Sequence, residues 1–260
     1  MKLDIYQVDA FASELFKGNP AAVCPLGAWL PDQQLQNIAM ENNLSETAFF
    51  VPDGGRYRLR WFTPKAEVDL CGHATLAAAH VLFSHLNYAE DEISFDSRSG
   101  VLRVRREGAC YMMDFPAARL KREAPPLDLY HALGGAIADE VYKDDDFLWV
   151  LEAEEDVRGM EPDFRLMEKV DTRGVIVTAP GDEVDFVSRF FAPSVGIDED
   201  PVTGSAHTML IPYWAKRLNK DRLTARQISR RGGELTCRMN GERVEIGGEA
   251  QTYLTGTIQI

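Results

Sequence analysis

The chain's 260 residues suffice for one large or two small domains, each with a proper buried core. With 45% hydrophobic and 27% charged residues, it has the make-up of an ordinary globular protein rather than a disordered or fibrous one. A formal net charge of -13 argues against a nucleic-acid partner, because a phosphate backbone needs a lysine and arginine surface to release its counterions.

The opening Met1-Lys2-Leu3-Asp4-Ile5 lacks the apolar middle of a signal peptide and the acid-free character of a transit peptide. No apolar run approaches the ~18 residues that span a bilayer. A cytoplasmic protein with no membrane partner is the expectation. Cys24, Cys71, Cys110 and Cys237 are far apart and are expected as thiols. His73, His80 and His85 lie seven and five residues apart, which is no metal spacing, and no glycine-rich phosphate loop occurs. No cofactor is expected.

In chain order, alternating segments predict strands at 3–8, 47–51, 57–62, 100–105 and 109–115. A helix with Leu35, Ile38 and Ala39 on one face precedes the second of these. Gly72-His73-Ala74-Thr75 opens a helix that is apolar nearly all round and is therefore expected to be buried on every side. The basic cluster at 103–106, like Arg230-Arg231, reads as solvated strand or loop positions. Lys121 to Pro126 reads as a linker. The acidic runs Asp144-Asp145-Asp146 and 152–156 read as solubility features. Further strands are expected at 147–151, 174–178, 186–191, 243–246 and 255–260.

These elements echo one another. Arg60-Trp61-Phe62-Thr63-Pro64 is matched by Arg189-Phe190-Phe191-Ala192-Pro193, and each is followed by an acidic turn and a glycine-led helix. The second copy carries three extra residues before Gly204-Ser205-Ala206-His207. The expected architecture is α+β: two pseudo-symmetric domains, each a central helix wrapped by a curved, mostly antiparallel sheet. The expected division is 1–117, a linker at 118–126, and 127–260, with a C-terminal strand near 250–260 able to pair with the first half.

A helix start presents unpaired N–H groups and a positive dipole end, so it suits an anion. If the halves face each other, both helix starts point into one cleft, which would hold a small carboxylate-bearing molecule. His73 and Ser205 would line it. Glu46, at the mouth of an apolar strand, would be partly desolvated, which raises a carboxyl pKa toward a useful range. Asp69, Asp198, Glu199 and Asp200 precede the two glycines. Each residue also has a plainer reading: a solvated carboxylate at 46, turn and cap residues at Asp200 and Ser205, a small buried hydrophobe at Cys71. Beside a helix start a thiol's pKa would fall, which leaves a reactive thiolate at Cys71 open.

Five segments together resemble the PhzF-like (phenazine-biosynthesis-like) proteins, in family order and over almost the whole chain. They are Gly18-Asn19-Pro20, Ser45-Glu46-Thr47, Arg60-Trp61-Phe62-Thr63-Pro64, Asp69-Leu70-Cys71-Gly72-His73-Ala74 and Asp200-Pro201-Val202-Thr203-Gly204-Ser205-Ala206. The resemblance implies a diaminopimelate-epimerase-like fold, activity without metal or organic cofactor, and a homodimer. It implies Glu46 as proton shuttle, with His73, Asp200 and Ser205 completing the catalytic set. Asn19, Gly72, Ala74, Gly204 and Ala206 complete the substrate-binding set. The related amino-acid epimerases use two cysteines, whereas Pro201-Val202-Thr203 stands where the second would be needed. Isomerisation through one carboxylate therefore fits better than inversion by two thiols. An epimerase with Cys71 as one base and a non-catalytic binding scaffold are the alternatives.

Overall fold

The computed structural model describes all residues from Met1 to Ile260. They fall into two compact units, Met1–Asp114 with Gly247–Ile260, and Phe115–Ile246.

The first unit begins with β1 (Lys2–Ala10) and β2 (Asn19–Pro25), then α1 (Asp32–Asn42), β3 (Glu46–Asp53), β4 (Arg56–Phe62) and the short β5 (Glu67–Val68). After α2 (Gly72–Ser84) come β6 (Glu92–Ser97), β7 (Gly100–Glu107) and β8 (Cys110–Pro116). The sheet is mixed. β2 runs parallel to β3 (Ala21 beside Glu46), β3 antiparallel to β4, β4 antiparallel to β5 and parallel to β6, and β6 antiparallel to β7. One sheet face is covered by the apolar stripe of α1, where Leu35, Ile38 and Ala39 pack with Cys24, Phe49 and Phe62. α2 behaves as an all-apolar helix must: every residue from His73 to Phe83 is buried. Its alanines leave room for the strands to approach closely.

The second unit contains β9 (Lys121–Arg122), α3 (Leu127–Ala132), β10 (Glu140–Lys143), β11 (Phe147–Val150) and two short helices, α4 (Glu154–Arg158) and α5 (Phe164–Met167). Then follow β12 (Val175–Pro180), β13 (Phe186–Ala192), β14 (Ile197–Asp200), α6 (Gly204–Leu218), β15 (Arg222–Gln227), β16 (Gly233–Asn240) and β17 (Arg243–Gly248). Here β11 is parallel to β12, β12 antiparallel to β13, β13 antiparallel to β14 and parallel to β15, and β15 antiparallel to β16. Trp149, Val177, Val187 and Phe191 form the centre of one core. On α6, the Trp214 ring stacks on Phe186 at 5.6 Å and its N–H donates to Thr178 at 3.0 Å, so its polar edge is satisfied in the interior.

The last strand, β18 (Ala250–Gln259), returns to the first unit and pairs antiparallel with β1 from Lys2–Gln259 to Ala10–Ala250. The segment read as a linker is not structureless. Lys121 and Arg122 pair with Lys143 and Tyr142 of β10, which satisfies their backbone groups. The acidic run at 144–146 is also corrected: Asp146 is 1% exposed, and a carboxylate that deep must be paired.

Candidate active site

In the first unit three predicted residues meet. Glu46 is the first residue of β3, set beside Ala21 of β2 by the parallel register. The turn ahead of it is fixed at both ends, by Asn43 in the left-handed conformation at the end of α1 and by the Asn42 amide donating to the Thr47 hydroxyl at 3.1 Å. Cys71, in extended conformation, caps α2, and His73 lies in its first turn. The Glu46 carboxylate sits 3.0 Å from His73 Nε2, and the Cys71 sulfur sits 3.6 Å from His73 Nδ1. Both side chains of the Glu46–His73 pair are largely buried, 12% and 7% exposed.

Burial works against a charged His73 ring, but the flanking Cys71 and Glu46 outweigh it and hold the pKa well above the ordinary value. Cys71 moves opposite to the expectation for a thiol at a helix start. Burial, and then the Glu46 charge, push it up, and the contrary pull of His73 and the Ala74 N–H is smaller. The donor atoms of Glu46, Cys71 and His73 lie within 4.8 Å of one another. The thiol and the carboxylate face different nitrogens of one imidazole. Asn19, at the start of β2, is fully buried, and Ala74 packs inside with α2.

The second unit carries the other group. Asp200 ends β14, and its carboxylate accepts a hydrogen bond from the Thr203 hydroxyl at the cap of α6. The fully buried Gln227 holds this turn from below. Its amide donates to the Asp200 carbonyl at 2.8 Å, and its oxygen accepts from the Thr203 N–H at 2.9 Å. Gly204 and Ala206 are buried, and Ser205 accepts from Arg173 at 3.3 Å. Arg173 is itself fixed by the buried Asp146, whose two oxygens receive its Nε, at 2.9 Å, and its Nη2.

Asp146, Arg173 and Gln227 escaped the sequence reading. Arg173 and Asp146 are 27 residues apart, and neither stretch carries a motif. Of the other acids near the glycines, Glu199 is taken up by a forked pair with Arg189 at 2.6 and 3.0 Å, and Asp69 is exposed beside Arg98 at 3.6 Å.

The family model of the phenazine biosynthesis-like proteins, PhzC-PhzF, matches residues 8–256. An uncharacterized isomerase of Pseudomonas aeruginosa is 57% identical over 260 residues, covering 100% of both chains. A crystal structure of a PhzF-family protein from Enterococcus faecalis superposes with a TM-score of 0.98 at 52% identity, again over 100% of both chains. At the level of fold alone, a hydroxyproline epimerase from Agrobacterium vitis is similar, with a TM-score of 0.62 at 11% identity over 99% of this chain and 92% of its own. With matches that span it end to end, this chain belongs to the phenazine biosynthesis-like family PhzC-PhzF and is an isomerase by class.

Proposed function

We propose that this isomerase moves a proton within a small carboxylate-bearing metabolite, using Glu46 as the single acid/base and no metal or organic cofactor. The observation that carries the reading is the largely buried Glu46 carboxylate 3.0 Å from His73 Nε2. General acid/base work needs a carboxyl group held in a fixed place, and the turn ahead of β3 and the His73 ring fix Glu46. It takes a proton from a saturated carbon next to a double bond. The electron pair shifts along the unsaturated system, and the protonated Glu46, whose O–H exchanges with solvent in the interval, delivers a proton to a second carbon on the same face. Asp200 and Ser205 orient the polar groups of the substrate, and the N-termini of α2 and α6 bind its carboxylate.

This reading treats the two units as duplicated copies, with Asn19, Gly72 and Ala74 of the first and Gly204 and Ala206 of the second as substrate-binding residues. Two observations support duplication. The pairing order of β2 to β7 recurs in β11 to β16. The Arg60–Glu67 fork, at 2.7 and 2.8 Å, also recurs as Arg189–Glu199 at the equivalent point of the second motif.

The test begins with a thermal-shift screen of small unsaturated carboxylates, followed by NMR of each hit in deuterated water. The wild type should exchange one carbon-bound hydrogen of the true substrate. Glu46→Gln should bind it and lower exchange by about 10²-fold or more, the usual scale of general acid/base assistance. Undiminished exchange in Glu46→Gln would remove the residue from the mechanism. Loss in Cys71→Ser with survival in Glu46→Gln would favour an epimerase using the thiol, and stabilisation without exchange by any hit would favour a binding scaffold.

A further inference from the structure

We propose that Cys71 is a positioning residue: its thiol engages His73 Nδ1 and so commits the Nε2–H of the ring to the Glu46 carboxylate. The inference rests on the proposed role of Glu46 and adds the group that sets its partner. It starts from a residue that is poorly explained by helix stability. Ser, Thr, Asp and Asn are the side chains that cap helix starts. Cys71 occupies that position in α2 with no side-chain cap bond. Its sulfur lies instead 3.6 Å from His73 Nδ1, within hydrogen-bond reach for sulfur, and both side chains are buried.

The consequence follows from the two nitrogens of imidazole. A neutral ring carries one N–H and one lone pair, and the partner of one nitrogen decides the state of the other. A thiol S–H donating to Nδ1 leaves the proton on Nε2. A thiolate beside a protonated ring also leaves a proton on Nε2. In either state the proton on Nε2 is the one that faces Glu46, whose Oε2 lies 3.0 Å away, although the pair is not aligned as a hydrogen bond and neither atom has a partner elsewhere. Glu46 thereby faces a donor and not a lone pair. Without the sulfur, Nδ1 would be a buried acceptor with nothing to accept, and the tautomer with its proton on Nδ1 becomes competitive. That tautomer turns a lone pair toward Glu46, which could then meet it only as a protonated acid. Glu46 from β3 and Cys71 from the α2 cap are the titratable groups that face the ring.

The test reads the ring and needs no substrate. The chain has five histidines, so long-range proton–nitrogen NMR of ¹⁵N-labelled protein is tractable, with His73 assigned by its disappearance in His73→Gln. In the wild type, His73 should keep its proton on Nε2 whenever neutral and titrate above the ordinary histidine midpoint. A neutral ring protonated on Nδ1 in the wild type would overturn the proposal without any variant. In Cys71→Ala the neutral ring should show a population protonated on Nδ1. Cys71→Ser, whose hydroxyl can still donate, should retain Nε2–H. A Cys71→Ala spectrum identical to wild type would refute the role. If Cys71→Ala fails to fold, the wild-type tautomer and the Cys71→Ser spectrum still decide. The two proposals also fail separately: persistent exchange in Glu46→Gln removes the reaction and leaves the ring's tautomer as found, whereas a wrong tautomer refutes the Cys71 role and leaves the exchange measurement on Glu46→Gln to be read on its own.

Discussion

His207 is wholly buried on α6, its Nδ1 donating to the Thr203 carbonyl at 2.8 Å, and burial lowers its pKa to about 4. His80 on α2 is lowered to about 4 as well, by burial and then by His85, while its ring nitrogens contact Tyr111 at 3.0 Å and Thr252 at 2.8 Å. Both rings are neutral when folded and take up a proton more readily when unfolded. Their contribution to stability is therefore intact above pH 6.5 and is lost as the pH falls from there toward 4. Each should cost about 2 kcal/mol at pH 4.5 relative to pH 7. Urea midpoints across that range check this, and His207→Gln should flatten the slope against the background of the carboxylates. At this scale Cys71 and His73 were legible because one helix start presents both. Glu46 was legible from its place at the mouth of a strand. Asp146 was misread, since nothing in a run of three aspartates says which one the fold will bury.

Among the elements, the loop entering β12 is tightly constrained. A Cβ on Gly174 would lie 2.3 Å from the Phe190 ring and 3.1 Å from the Asp146 carboxylate, so a side chain there must push the ring aside. Gly174→Ala should destabilise by about 1–3 kcal/mol, measured by urea unfolding, and loosen the Arg173–Asp146 pair beside it. Of the helices, α2 follows from a run with no polar face, α1 from its three-residue apolar stripe and α6 from its glycine-led start, whereas the short α3, α4 and α5 were not anticipated. Strands rich in aromatic and β-branched residues, β3, β4 and β13, were equally plain. Others were not. β15 and β16 mix arginine, threonine and glutamate, and they become strands because neighbours supply their backbone partners.

For the whole molecule, the decisive contact is between the two ends of the sequence. β18 leaves the second unit and completes the first by pairing along β1. A chain ending at Glu249 should leave β1 with an open edge, lower Tm by about 5 °C or more in calorimetry, and lose amide protection first across residues 2–10. Such a pairing joins residues about 250 positions apart, and no local pattern specifies its register. By itself the sequence determined the α+β class, the two glycine-led helices and the family, because each depends on periodicity or on residues adjacent in the chain. Only the tertiary structure decided that Glu46 lies against His73, that Asp146 holds Arg173, that Gln227 supports the Asp200 turn, and that burial raises rather than lowers the Cys71 pKa. Those outcomes depend on which distant groups share a dry interior, where the loss of water and the nearness of a charge outweigh the preference of any single residue.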